Sequence, residues 1–244
     1  MPYPDLPEFD LDEFEPVDAS HERHYHRLLI QDFKVLGEHH TPTDTYFIVH
    51  DEGATWGVPG TAQLRAIHVS RDLDAGTYEV DSSPLPLYPM AESYLIARGC
   101  PAEALAASGD VHTPADDITR ALEARVRGDG DHFALLAGYT DDLRDTPQTV
   151  VMLRSLDPKA VPEFRILLEE FDQDTYTHTL REGGFATYEA ATAWWGAWAD
   201  GEAPALPSPA LAASPGPALA ASPGPAPAGP VSPALATARR PQGR

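Results

Sequence analysis

The chain has 244 residues, with 38 Asp and Glu against 17 Lys and Arg, a formal net charge of −21 at pH 7. A surface that negative argues against gripping nucleic acid phosphates or docking on anionic lipid, and it suits a basic protein partner or plain solubility. Cys100 is the sole cysteine, which rules out an intrachain disulfide and a multi-cysteine zinc site.

Residues 1–18 read as an acidic arm. Tyr3, Leu6, Phe9, Leu11 and Phe14 alternate with acids, and four prolines oppose a helix. Such an arm either lays aromatic anchors in a basic groove or straps its own domain. The arm lacks a basic-then-apolar leader, and no apolar run approaches the ~20 residues of a membrane span, so a cytoplasmic location is expected.

A globular domain is expected over 19–202. Its first helix runs from about Ala19 to Gly37, capped by Asp18 or Ser20, with Tyr25, Leu28, Leu29, Phe33 and Leu36 as the core stripe. Strands follow at Thr45–His50, Gln63–Ser70 and Thr77–Asp81, with glycine-rich turns between them. Met90–Arg98 and Pro114–Arg127 read as short helices, and His132–Tyr139 and Thr149–Leu153 as strands. Glu163–Arg181 reads as a helix whose apolar arc is Phe164, Leu167, Leu168 and Phe171. Thr187 caps a last helix to about Asp200, completing a C-terminal helical pair. The expected class is α+β, with an antiparallel or mixed sheet packed with several helices. Residues 203–244 are Ala, Pro, Gly and Ser with a near-repeat, Pro-Ala-Leu-Ala-Ala-Ser-Pro-Gly. They offer little to bury, so a disordered tail is expected.

Candidate chemistry is sparse. If Glu163–Arg181 is helical, Glu170, Asp174 and His178 share one sector. Two carboxylates there could act as acid and base in a glycosidase-like hydrolysis with His178 beside them, the three could hold a divalent ion, or they simply form a solvated flank. His21 and His24 lie on one face of the first helix and could bind a divalent metal, although His26 points elsewhere. Cys100 before Pro101 could be a helix-terminal thiol or a small buried residue. The aromatic residues of the last helix, Tyr188, Trp194, Trp195 and Trp198, cement it to the core, or Trp194 on its separate face is an exposed platform for a sugar or a partner.

No catalytic fingerprint or dinucleotide loop is present, and no cofactor is expected. The leading expectation is a non-catalytic interaction or accessory protein that binds a basic partner. A small carboxylate-based hydrolase and a divalent-metal-binding protein are the alternatives.

Overall fold

The computed structural model describes residues 7–105, 111–128 and 132–209. They form two five-stranded sheets and five short helices. The first set is β1 (Glu15–Pro16), α1 (Ala19–Leu29), β2 (Phe33–His40), β3 (Asp44–Asp51), α2 (Ala54–Gly57), β4 (Leu64–Asp72), β5 (Thr77–Leu85) and α3 (Tyr88–Ile96). The second is β6 (Thr113–Pro114), α4 (Asp117–Gly128), β7 (Phe133–Asp141), β8 (Gln148–Ser155), β9 (Phe164–Asp172), β10 (Thr177–Phe185) and α5 (Tyr188–Ala199). The sheet orders are β1-β5-β4-β3-β2 and β6-β10-β9-β8-β7. In each, the first two-residue strand is parallel to its neighbour and all other pairings are antiparallel.

The second set repeats the first. Only α2 lacks a counterpart. The shared devices reach single atoms. Asp72 Oδ1 accepts from the Asp74 and Ala75 amides in the β4–β5 turn, and Asp172 Oδ1 accepts from the Asp174 and Thr175 amides in the β9–β10 turn. A register shift interrupts β2 between Val35 and Gly37, and another interrupts β7 between Leu135 and Ala137. Asp18 holds the first amides of α1, and Asp116 does the same for α4 through the Thr119 amide. The Val80 amide of β5 donates to His21 on α1, and the Leu180 amide of β10 donates to Thr119 on α4. Each helix thus satisfies a strand amide that its short two-residue neighbour leaves unpaired.

Each sheet is covered on both faces. In the first repeat Leu28 of α1 packs on one face with Phe9, Leu11, Phe47 and Ile67, while Ala91 and Leu95 of α3 pack on the other with Ile48 and Ala66. In the second, Leu122 of α4 packs with Val151, Leu167 and Leu180. Trp194 and Trp198 of α5 pack on the opposite face with Val150, Met152 and Ile166. Met90 of α3 touches the cores of both repeats, and Leu87 belongs to that of the second. The two sheets are therefore joined through α3 and α4.

These findings correct the expected α+β arrangement. The fold is sheet-rich, with two mixed sheets in place of one and no C-terminal helical pair. Residues 164–185 are a hairpin. Phe164 and Leu168 face α5, and Leu167 faces α4, so the apparent apolar arc is split between two faces. The first helix also ends early, at Leu29, and Phe33 and Leu36 belong to β2.

Both ends of the expected domain are built in. Phe9 and Leu11 of the arm are buried, with Phe9 edge-on to Tyr25 and Phe47. Residues 203–209 lie against the second repeat: Trp194 donates to the Pro204 carbonyl at 2.9 Å and the Gly184 amide to that of Pro207 at 3.2 Å. The rest of the expected tail, 210–244, lies outside the described residues.

Candidate functional site

The residues singled out in the sequence do not converge. Glu170 faces the side of the second sheet opposite His178 and accepts from Gln148 at 2.7 Å. Asp174 is an exposed turn residue. His21 Nδ1 accepts from the Val80 amide at 3.0 Å, and His24 Nε2 meets Ser82 Oγ at 2.8 Å. Both imidazoles are engaged in fixing α1 to β5. Among the described residues no cluster of three or more His, Cys, Asp or Glu is placed to hold a metal. Cys100 is buried and burial pushes its thiol up to about 11, the reverse of an activated nucleophile. Trp194 is buried under residues 203–206.

His178 does sit in an ionisable cluster, but with other partners. Its Nε2 lies 2.7 Å from Glu123 Oε1 on α4 and 4.0 Å from Glu169 Oε1 on β9. His112 stacks on Phe171 beside it, with ring centroids 3.7 Å apart. Burial holds Glu169 above the usual carboxylate range, at about 7; Glu123 adds to the shift and His178 opposes it. Burial alone would lower the His178 pKa. The Glu123 hydrogen bond and the Glu169 charge outweigh it and leave the pKa raised. His112 is lowered, first by burial and then by His178. Nearby, buried Glu92 of α3 pairs with Arg127 of α4 at 2.8 Å.

Superposing the repeats by element shows what this cluster replaces. The places of Glu123, Glu169, His178 and His112 are held in the first repeat by Tyr25, Val69, Tyr78 and Phe14, all of them in or against an apolar core. Tyr25 and Tyr78 meet edge to face at 5.7 Å where Glu123 and His178 share a hydrogen bond. Glu123, Glu169 and His112 were missed from sequence because they come from three separate elements. Only an alignment of one repeat on the other marks them as departures from an apolar rule.

A second departure lies at a sheet edge. β2 and β7 are the outermost strands at corresponding edges. β2 reads Phe-Lys-Val-Leu-Gly-Glu-His-His, with charge along its length, and Leu36 at its bulge is 8% exposed. β7 reads Phe-Ala-Leu-Leu-Ala-Gly-Tyr-Thr before Asp141, with no charge. Leu135 and Leu136 at its bulge are 41% and 42% exposed. Natural edges are commonly guarded by charge, and this one is not. One rung is taken, because the Thr140 amide donates to the Gly60 carbonyl at 3.3 Å. Thr55 and Gln63 donate to Asp142, which fixes the 54–63 segment beside the β7–β8 turn. That brings in Trp56, Val58 and Leu143, at 79%, 65% and 92% exposed.

Comparison of the chain with protein-family models, with curated proteins and with solved structures gives no match. Among the described residues no helix is long and apolar enough to cross a membrane.

Proposed function

We propose that the protein is a non-catalytic interaction module that takes an extended, basic segment of a partner protein as an added strand on β7. The observation that carries this reading is the exposed, uncharged edge of β7, where the equivalent edge of the first repeat is charged and its bulge leucine is covered. Main-chain hydrogen bonds to an added strand supply affinity, and alternate side chains supply selectivity. Trp56, Leu136 and Leu143 give the apolar contacts, and a large exposed Trp is a typical anchor of such surfaces. The net charge of −21 favours a basic partner over a second copy of this chain, which would repel it. The N-terminal arm does not serve as the docking peptide in this reading, because Phe9 and Leu11 are spent on the chain's own core.

The test is calorimetric titration of a peptide of alternating Lys and Val into the full chain, with its Glu/Val counterpart as control. Saturable binding of the Lys/Val peptide is expected, weakened at least tenfold by Leu136→Lys and by Trp56→Ala with melting temperatures preserved. Absence of binding, equal binding of both peptides, or indifference to both substitutions would sink the proposal. Self-association lost in Leu136→Lys would assign the edge to a second copy instead.

A further inference from the structure

Between α3 and the second sheet lies a cavity of about 220 Å³. Its walls are chiefly apolar: Met90 and Tyr94 from α3, Val126 from α4, and Phe133, Leu153 and Leu167 from the sheet. The second repeat also contributes two guanidinium groups to the lining. Arg165 on β9 and Arg125 on α4 converge on a single carboxylate, Glu182 of β10. Arg165 is 9% exposed, its guanidinium lies 5.2 Å from the centre of the Phe133 ring, and its Nε is buried without a hydrogen-bond partner among the described residues. A buried guanidinium N–H left unmade is costly, and an anionic oxygen is the group that satisfies it best. In the first repeat Arg65 and Arg27 take the places of Arg165 and Arg125, the Arg65 Nε is likewise buried without a hydrogen-bond partner among the described residues, and Ser82 takes the place of Glu182. What is peculiar to the second repeat is the acid that draws the two guanidinium groups together at the cavity wall.

We propose that this cavity binds a small aliphatic carboxylate, its chain between α3 and the sheet and its carboxylate on Arg165. The apolar walls drive burial of the chain, and the planar guanidinium fork matches the two oxygens of a carboxylate. The volume falls below the roughly 300–1,000 Å³ of sites for drug-sized ligands, which limits the ligand to a short chain. A protein of charge −21 does not gather anions from a distance. Affinity therefore comes from contact, and depends little on salt. The site stands on a different observation from the β7 edge, and Leu136 is not among its lining residues.

Octanoate, titrated calorimetrically into the full chain below its micellar concentration, is the probe, with 1-octanol as the uncharged counterpart. One saturable site is expected, with 1-octanol at least tenfold weaker. Arg165→Lys, which keeps the charge and loses the fork, should weaken octanoate severalfold. Val126→Trp, which fills the cavity away from the ion pair, should abolish binding and keeps the test decisive if Arg165→Lys fails to fold. Leu136→Lys should leave octanoate binding unchanged, which separates this site from strand addition. No saturable octanoate binding would overturn the proposal. So would equal binding of octanol, or binding that survives Val126→Trp.

Discussion

The two repeats share a frame and differ in what fills it. In the first, the space beneath α1 holds Phe9, Tyr25, Val69 and Tyr78, with a buried cation, Arg71, bonded to the Phe9 carbonyl beside them, and charge runs along the edge strand β2. In the second, the space beneath α4 holds Glu123, Glu169 and His178, and the edge strand β7 carries no charge until Asp141. The same backbone therefore tolerates a mainly apolar filling with a guarded edge and an ionisable acid–imidazole filling with an open one. Locally consistent sequence marks the first repeat as scaffold. The second breaks two local rules, and such breaks are where function concentrates.

The largest expected effect tests whether the scaffold can be disturbed alone. Phe9 meets Tyr25 and Phe47 at 5.5 Å each, so Phe9→Ala should cost about 3–5 kcal/mol. Because α3 touches the cores of both repeats, urea unfolding followed by tryptophan fluorescence should show one transition moved as a whole. Fluorescence is a fair witness, since three of the four tryptophans belong to the second repeat. A second-repeat transition left in place would show instead that the halves fold independently.

Next comes the exchange of fillings. Glu123→Ala leaves His178 without its hydrogen-bond partner and should cost about 1–3 kcal/mol. The triple change Glu123→Tyr, Glu169→Val and His178→Tyr copies Tyr25, Val69 and Tyr78. It should match or exceed the wild type, because replacing a buried ionic group with packed apolar residues is often neutral or stabilising. A triple variant weaker than Glu123→Ala would mean that the repeats differ in packing and not only in chemistry.

The ionisable filling also has a pH signature. Glu169 and His178 both have raised pKa values in the folded protein, so the native state binds more protons than the unfolded chain across their windows. Stability from them is present at lower pH and is lost as pH rises, through about 7 for Glu169 and above 6.5 for His178. Glu92 has the same sign, its carboxyl raised by burial against the pull of Arg127. His112 and His24 are lowered and act the opposite way, but only below their ordinary value of 6.5. Melting temperature should therefore fall as pH rises from about 6.5 through 7, and the slope should flatten in the triple variant. An equal slope in both proteins would place the pH response elsewhere.

The caps and turns were the most legible parts of the sequence. Asp18 and Thr187 cap α1 and α5 where the sequence places them, and the segments read as strands at 45–50, 63–70 and 77–81 fall on β3, β4 and β5. The β9–β10 hairpin was not legible. Leu167, Leu168, Glu169 and Glu170 are strong helix formers, and with both faces of β9 covered the alternation that marks a strand disappears. The site was hidden for the same reason: a false helix put Glu170 and Asp174 beside His178, while the true neighbours came from α4 and from the adjacent residue on β9. One signal was available. Asp72, Asp74 and Thr77 recur as Asp172, Asp174 and Thr177, and read as a repeat they identify both turns and place 164–185 as a hairpin.

The smallest expected effect lies in those paired turns. The residue before the second strand is Gly76 at φ 66° in one and Tyr176 at φ 55° in the other. Both are left-handed, a region that costs a side-chain-bearing residue about 1–2 kcal/mol. Among the described residues a Cβ on Gly76 would meet nothing within 4 Å, so the cost of Gly76→Ala is that of the backbone alone, about 1 kcal/mol after the stiffer unfolded chain is credited. Tyr176→Gly relieves the same conformation but gives up ring contacts with Phe171 at 5.9 Å and His112 at 6.1 Å. Its net change in denaturant midpoint should therefore be smaller than that of Gly76→Ala. If Tyr176→Gly instead destabilises by more, the tyrosine ring is a working part of the cover over His112 and the ionisable cluster, and the second repeat has accepted backbone strain to keep it there.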